Sequence, residues 1–259
     1  MNDLDLALAA ARIGAGVLRR WFRHIEGADW KGDVDPVTAA DREAEAAIVE
    51  TIVEARPDDG VLGEEGGERP ATSGRRWVID PLDGTVNFLH GIPQCAVSIA
   101  LEDESGSLVG VVADPFRDEE FAATRGGGTT LNGTPVRVSP QGELHRALFV
   151  TGFPYDRNVN ARTYTDAVAA VVSRAQGVRR MGAAALDLAW VACGRFEGYW
   201  EFRLSPWDIA AGKLLVTEAG GRVTASTGAP VHAADIVATN GLVHEALRSI
   251  VADHRPDDA

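Results

Sequence analysis

The chain has 259 residues, 45% of them hydrophobic, and a formal charge of -13 at neutral pH. That length is enough for one large core or two layered subdomains, and the acidic balance argues against nucleic acid or an anionic membrane as a direct partner, because phosphate backbones demand a basic face. No apolar run approaches the roughly 18 residues of a spanning helix, and the start at Asn2, Asp3 and Asp5 lacks a basic leader, so a cytoplasmic protein is expected.

From Asp3 to about His24, Leu4, Leu8, Ala11, Ala15, Leu18 and Phe22 recur at helical steps, the pattern of an amphipathic helix on a core. The polar, turn-rich stretch from Trp30 to Pro36 reads as an exposed loop that could serve as a lid. Thr38-Ala39-Ala40-Asp41 opens a second helix that runs to about Arg56. Asp41 falls at the third position of a capping box, a role that could alone account for it. Val61-Leu62-Gly63 is a brief strand ending in Glu64-Glu65-Gly66-Gly67. These acids are either solvated loop charge or carboxylates aimed at a site.

Trp77, Val78 and Ile79 have the character of a buried strand, which Pro81 is expected to break. Asp80 and Asp83 sit at that break, and Gly84-Thr85 follow where a turn or helix can begin with its amides pointing outward. Anion-binding amides beside paired carboxylates make electrostatic sense when a hard divalent cation bridges a phosphate to the acids. The segment also fits an ordinary strand–turn–helix junction, since Asp-Pro and Asp-Gly are common turn dipeptides.

Short antiparallel strands are expected at Ala96–Leu101, Leu108–Ala113, Glu120–Ala123 and Pro135–Val138, with turns at Gly126–Gly128 and Asn132-Gly133. An alternating pattern follows: strand Leu148–Thr151, helices near Arg162–Arg174 and Ala183–Cys193, strand Gly198–Phe202, a helix from Trp207, strands Arg222–Thr224 and Ile236–Ala238, and helix Leu242–Val251. Ser205, Pro206 and Asp208 carry the signals of a helix start. The change of pattern suggests an N-terminal subdomain over 1–140 and a C-terminal one over 141–259 supplying Glu201 and Asp208. Cys95 and Cys193 lie in apolar stretches without metal-type spacing and read as reduced, buried thiols.

Taken together, Gly63-Glu64-Glu65, the run Trp77 to Phe88 and Trp207-Asp208-Ile209-Ala210-Ala211-Gly212 resemble the signature blocks of the inositol monophosphatase family. Thr38–Asp41 and Gly182-Ala183-Ala184-Ala185 fall in place with them, and the resemblance covers nearly the whole chain. It implies an α+β / α/β fold, a layered αβαβα sandwich of the inositol monophosphatase/fructose-bisphosphatase type, usually a homodimer. It further implies hydrolysis of small phosphate monoesters with magnesium, two or three Mg²⁺ per active site, and sensitivity to lithium.

By the same resemblance Glu64, Asp80, the carbonyl of Leu82, Asp83 and Asp208 would bind metal. Asp41 would sit near a third, weaker ion and pair with Thr85 to orient the attacking water, so that Asp41, Glu64, Asp83 and Thr85 form the catalytic set. The amides of Gly84 and Thr85 would hold the phosphate, while Asp83, Gly182, Ala183, Ala184, Glu201 and Asp208 would face the substrate. Some members have Thr after the glycine found here at 182, where this chain has Ala183. Five carboxylates with a phosphate dianion would carry about seven negative charges, of which two or three divalent ions offset roughly four to six.

Leu82-Asp83-Gly84-Thr85 also echoes the haloacid dehalogenase-type phosphatases, whose nucleophilic aspartate lies two residues before a second one. Here that position is Pro81, which counts against a phospho-aspartate. An inositol or similar polyol phosphate is the first substrate, because Glu201 can accept hydrogen bonds from hydroxyls. Histidinol phosphate is the alternative, its ammonium also suiting Glu201. Fructose 1,6-bisphosphate would want a basic pocket, for which Arg179, Arg180 and Arg203 are the candidates. A regulatory binding protein that keeps the fold without catalysis is the non-enzymatic alternative, against which the complete set of carboxylates argues.

Overall fold

The computed structural model describes residues 1–24, 27–30 and 36–256, and in it helical and sheet layers alternate. The outer helices are α1 (Asp3–Trp21) and α2 (Ala39–Ala55). They cover a sheet built from β3 (Gly60–Gly63), β4 (Gly67–Arg69), β5 (Arg76–Asp83), β6 (Ala96–Asp103), β7 (Gly106–Asp114), β8 (Glu119–Thr124), β9 (Gly128–Leu131) and β10 (Thr134–Val136), after a two-residue pair β1 (Asp29–Trp30) and β2 (Pro36–Val37). The strand order is β10-β9-β8-β7-β6-β5-β3-β4, antiparallel except where β3 runs parallel to β5. The short α3 (Thr85–Leu89) leaves the end of β5.

A second sheet has the order β12-β11-β13-β15-β14, from β11 (Leu148–Thr151), β12 (Gly177–Arg179), β13 (Gly198–Phe202), β14 (Arg222–Thr224) and β15 (Asp235–Thr239). Its first three strands are parallel, so their carboxyl ends emerge together. Between the sheets lie α5 (Ala184–Ala192) and α6 (Pro206–Glu218), and outside the second sheet lie α4 (Arg157–Val172) and α7 (His244–Ala252). The layered αβαβα expectation holds.

Each helix takes its layer from its residues. In α1 the deepest positions are Leu6, Ala7, Ala10, Ala11 and Leu18, while Leu4, Leu8 and Phe22 sit at the margin of the same core. The small side chains let the backbone settle close to the sheet. Nearly all of α5 is buried, as its almost unbroken apolar sequence requires of a helix sandwiched on both faces.

Four details differ from the sequence reading. β5 does not stop at Pro81 but continues to Asp83, its pairing with β6 shifting register between Asp80 and Asp83. A bulge is where a residue without an N–H is tolerated in a sheet. Two further strands, Gly67–Arg69 and Gly128–Leu131, form where no strand was expected. Helix α4 begins at Arg157, earlier than expected, and is kinked at Asn160. Of the loop read as a lid, residues 31–35 lie outside the described residues. No described helix is long and apolar enough to cross a membrane.

Candidate active site

Where the ends of β5, β11, β12 and β13 meet the starts of α3, α5 and α6, the chain encloses a cavity of about 620 Å³, within the range of small-molecule sites. Glu64, Asp80, Leu82, Asp83, Gly84 and Thr85 line it from the first sheet. Gly182, Ala183, Ala184, Glu201 and Asp208 line it from the other side. Asp41 is buried behind this wall and reaches it through Thr85, whose hydroxyl lies 3.2 Å from Asp41 Oδ1.

The β5 bulge does the first piece of positioning. Asp80 Oδ1 accepts from the amide of Leu82, at 2.9 Å, which bends the strand back on its own side chain. Gly84 then takes a left-handed conformation, φ 92°, which a side chain would strain, and starts α3 without a side-chain cap. The first-turn amides of such a helix have no intrahelical acceptor and suit an anion. The Leu82 carbonyl lies 3.0 Å from the Thr85 hydroxyl.

Asp83 reaches across to the second half of the chain. Its Oδ1 accepts from the amide of Ala184 at 2.9 Å, and its Oδ2 from those of Ala185 at 2.9 Å and Leu186 at 3.3 Å. It is in effect the N-cap of α5, whose own cap position, Ala183, has no side chain able to serve. Asn87 repeats the tie, donating to the carbonyl of Met181 at 2.9 Å and so holding the turn at Gly182 against α3.

On α2, Asp41 Oδ2 accepts from the Thr38 amide and hydroxyl, at 2.8 and 2.5 Å, completing the expected capping box. Burial raises the Asp41 pKa, the bonds from Thr38 opposing it. One helical turn on, the buried Glu45 accepts from the amides of Glu65, at 2.9 Å, and Gly66, fixing the turn that carries Glu64. On α6, Asp208 Oδ2 accepts from the amide of Ser205 at 2.7 Å in a second capping box. Cap and cavity carboxylate are thus one side chain.

Glu201 is buried at the end of β13, where the Tyr199 hydroxyl donates to its Oε2 at 2.7 Å. Burial pushes its pKa up to about 7, against the Tyr199 bond and the charge of Arg180. Opposite stands Gly152, where an added Cβ would lie 1.9 Å from Glu201 Oε2. Below them Asp187 is buried with neither carboxylate oxygen hydrogen-bonded, its pKa raised well above the usual range by burial and by the charges of Asp83 and Glu201.

Asp80 shows what the acids do to one another. Burial, and then the charges of Glu64, Asp83 and Asp208, push its pKa well above that of an ordinary aspartate. Asp83 is raised to about 7, chiefly by burial, although three amides work in the other direction. Oxygen donors crowded together in this way, and neutralised by no hydrogen-bonded Lys or Arg at Asp80 or Asp83, fit a hard divalent cation. Among the described residues no three His, Cys, Asp or Glu side chains converge as a formed metal cage. The carboxylates of Glu64, Asp80, Asp83 and Asp208 line one cavity.

Several residues of this site escaped the sequence reading. Glu45 stands one turn beyond Asp41 on the buried face of a predicted helix, which was the available signal. Gly152 directly follows a predicted strand. Tyr199 lies two residues before Glu201 on β13, a spacing that returns it to the same face. Nothing local marks Asn87 or Asp187.

Residues 2–256 match the model of the inositol monophosphatase family. The chain is 48% identical over 225 residues to an inositol-1-monophosphatase of Rhizobium meliloti, an alignment covering 85% of this chain and 84% of the relative. It is 44% identical to the Nus factor SuhB of Pseudomonas aeruginosa, over 98% of this chain and 97% of that one. Among solved structures, the inositol monophosphatase of Anabaena (Nostoc) sp. PCC 7120 superposes with a TM-score of 0.88 at 41% identity, covering 98% and 97% of the two chains. SuhB of Bartonella henselae gives 0.92 at 40% identity, covering 95% and 97%. Matches over the full length remove the basis for the haloacid dehalogenase-type reading of Leu82 to Thr85. With its blocks in order and its carboxylates on one cavity wall, the chain belongs to the inositol monophosphatase family, a family of phosphoric monoester hydrolases.

Proposed function

We propose that the protein hydrolyses the phosphate monoester of a small polyol, inositol monophosphate first, by direct attack of water and with Mg²⁺ as cofactor. The observation that carries this reading is the shared wall of Glu64, Asp80, Asp83 and Asp208 beside the open first turn of α3. Glu64, Asp80, the Leu82 carbonyl, Asp83 and Asp208 are the residues that would hold two or three Mg²⁺ ions. Bound there, such ions supply the positive charge that offsets the phosphate and the developing alkoxide and make water more acidic.

The chain's own residues do the rest. The amides of Gly84 and Thr85 face the phosphate oxygens, where partial positive charge favours an anion. Thr85 Oγ1, fixed between Asp41 Oδ1 and the Leu82 carbonyl, has lone pairs left to orient a water beside the phosphorus. Asp41 Oδ1 would receive that water's proton by way of the hydroxyl. Glu201 and the small walls at Gly182, Ala183 and Ala184 face the alcohol portion, with Glu201 accepting from substrate hydroxyls. A cytoplasmic homodimer, sensitive to lithium, completes the proposal.

The test is phosphate release from inositol 1-phosphate and histidinol phosphate, with Mg²⁺ and with EDTA. We expect release that EDTA abolishes and that favours the inositol ester in kcat/KM. Release indifferent to EDTA, or none from either ester, overturns the reading.

A further inference from the structure

Arg180 and Arg203 line the cavity, while Arg179, the third arginine read from sequence, does not. Another arginine, Arg117, stands outside the cavity in the turn between β7 and β8, and holds the segment against which the opening of α3 is packed. That segment, residues 90–95, connects α3 to β6 and belongs to no helix or strand. Without a ladder of its own, its backbone has to be fixed by other groups. Its position matters to the site, because an added Cβ at Gly84 would lie 2.8 Å from the Gln94 carbonyl oxygen and 3.3 Å from the Ala183 Cβ. Gly84 is wedged between Gln94 and the opposite wall, so a shift of Gln94 is passed to the amides of Gly84 and Thr85.

Arg117 supplies the hold. Its Nη1 donates to the Pro93 carbonyl at 3.1 Å and its Nη2 to Gln94 Oε1 at 2.8 Å. The arginine is itself fixed, since Nη1 also donates to Asp114 Oδ2 at 2.6 Å and that carboxylate is fully buried. Asp114 Oδ1 accepts from the amides of Phe116 at 2.8 Å and Arg117 at 3.1 Å, which folds the turn around the same side chain. The guanidinium carbon lies 5.0 Å from the centre of the Trp190 ring on α5, the helix that Asp83 caps. A planar fork seated on a ring is preorganised to hold two acceptors in one geometry.

From Gln94 the bonds run on into the site. Its carbonyl accepts from Asn87 Nδ2 at 2.8 Å, and the same nitrogen lies 2.9 Å from the carbonyl of Met181 and 3.2 Å from that of Gly182. Asn87 is on α3, and Gly182 takes a left-handed φ of 82° just before α5. Asp114, Arg117, Gln94 and Asn87 therefore form one chain of contacts from the β7–β8 turn to both sides of the cavity. Neither Arg117 nor Gln94 lines that cavity, so any effect they have on a ligand passes through Gly84 and Asn87.

We infer that Arg117, acting through Gln94, is a positioning residue for the phosphate-binding turn at Gly84 and Thr85. This rests on the phosphatase reading above and adds to it the groups that aim the two amides. A lysine at 117 would keep the bond to Asp114 but has no fork with which to reach both Pro93 and Gln94.

The experiment measures kcat and KM for inositol 1-phosphate, inhibition by inorganic phosphate, and the Mg²⁺ concentration that half-stabilises the protein against heat. It uses the wild type, Arg117→Met, Arg117→Lys, Gln94→Met and the double variant Arg117→Met with Gln94→Met. KM and the phosphate inhibition constant should rise together by about tenfold in each single Met variant, the size of a lost charge-assisted hydrogen bond. The change in kcat should be smaller, and the Mg²⁺ response should be kept. The double variant should match the single ones, because members of one chain of contacts do not add, and Arg117→Lys should fall between them and the wild type. Gln94→Met leaves the Asp114–Arg117 pair in place and carries the test should Arg117→Met fail to fold. An unchanged phosphate inhibition constant in a folded variant, effects that multiply in the double variant, or a Mg²⁺ response lost in step with phosphate affinity overturns the positioning role alone. A wild type that hydrolyses no ester overturns the phosphatase reading and the role with it.

Discussion

Thr85 Oγ1 lies 3.2 Å from Asp41 Oδ1, joining a residue that opens α3 to one buried in the first turn of α2. A hydroxyl has a single proton, so the Leu82 carbonyl, 3.0 Å away, and Asp41 compete for it. Thr85→Val keeps the shape and removes this relationship. We expect kcat to fall about a hundredfold with KM little changed, the size of a lost general-base contact. A variant retaining half the wild-type kcat would take Thr85 out of the reaction.

The two aspartates of β5 should separate in a stability assay. Asp83 caps α5 with both oxygens, and the amide of an asparagine would turn a donor toward donors. Asp83→Asn should therefore end Mg²⁺-dependent release and also cost about 1–2 kcal/mol of stability. Asp80 is buried among like charges, so Asp80→Asn should end release while raising the melting temperature of the metal-free protein by about 3–6 °C. Equal melting temperatures for the two variants would contradict this division.

Gly152→Ala tests the placement of Glu201. The new methyl would occupy the position of the Glu201 carboxylate, which has to rotate away from Tyr199. We expect KM for inositol 1-phosphate to rise about tenfold, the loss of one hydrogen bond from a charged group. Glu201→Gln should resemble it. An unchanged KM in both would remove Glu201 from substrate binding.

Glu45 should act on the cation without touching it. Glu45→Gln leaves one acceptor for the two amides of Glu65 and Gly66 and loosens the turn carrying Glu64. The Mg²⁺ concentration that half-stabilises the protein against heat should rise about tenfold, the range found for outer-shell partners of a metal site. An unaltered Mg²⁺ response would assign Glu45 to folding alone.

His244 contributes a pH dependence of its own. Its ring is fully buried, with Nε2 2.9 Å from Thr224 Oγ1 and Nδ1 2.9 Å from Thr239 Oγ1. Burial, aided by the charge of Arg222, lowers its pKa from 6.5 to about 4. The folded value lies below the unfolded one, so protons favour unfolding. The stability that His244 contributes is complete above pH 6.5 and declines as the pH falls toward 4, by roughly 2–3 kcal/mol, opposite in sign to the contribution of the buried carboxylates whose pKa values are raised. On going from pH 7.5 to 5 the urea midpoint of His244→Gln should fall less, or rise more, than that of the wild type. An identical pH slope in that variant would refute the assignment.

Much of this site was legible because its residues obey local rules while serving a distant one. Asp41 and Asp208 stand where capping boxes put them, and both boxes form. Pro81 misled, since a proline in a bulge looks in sequence like the end of a strand. Gly67–Arg69 and Gly128–Leu131 became strands through pairing with neighbours, a choice made by tertiary context and not by propensity. The bonds from Asp83 to Ala184, Ala185 and Leu186 span about a hundred residues, and no window along the chain contains both ends. Arg157 needed the parallel alignment of β11 and β12 before it could be placed on one cavity with Arg180, a candidate from sequence.

The grip of Asp83 on α5 rivets the first sheet to the helical layer behind it on the wall of the cavity. Residues on both sides of position 140 line that cavity. Fragments cut near residue 140 should consequently be inert apart and recover turnover only on reassociation, which makes catalysis itself a reporter of whether the layers have docked.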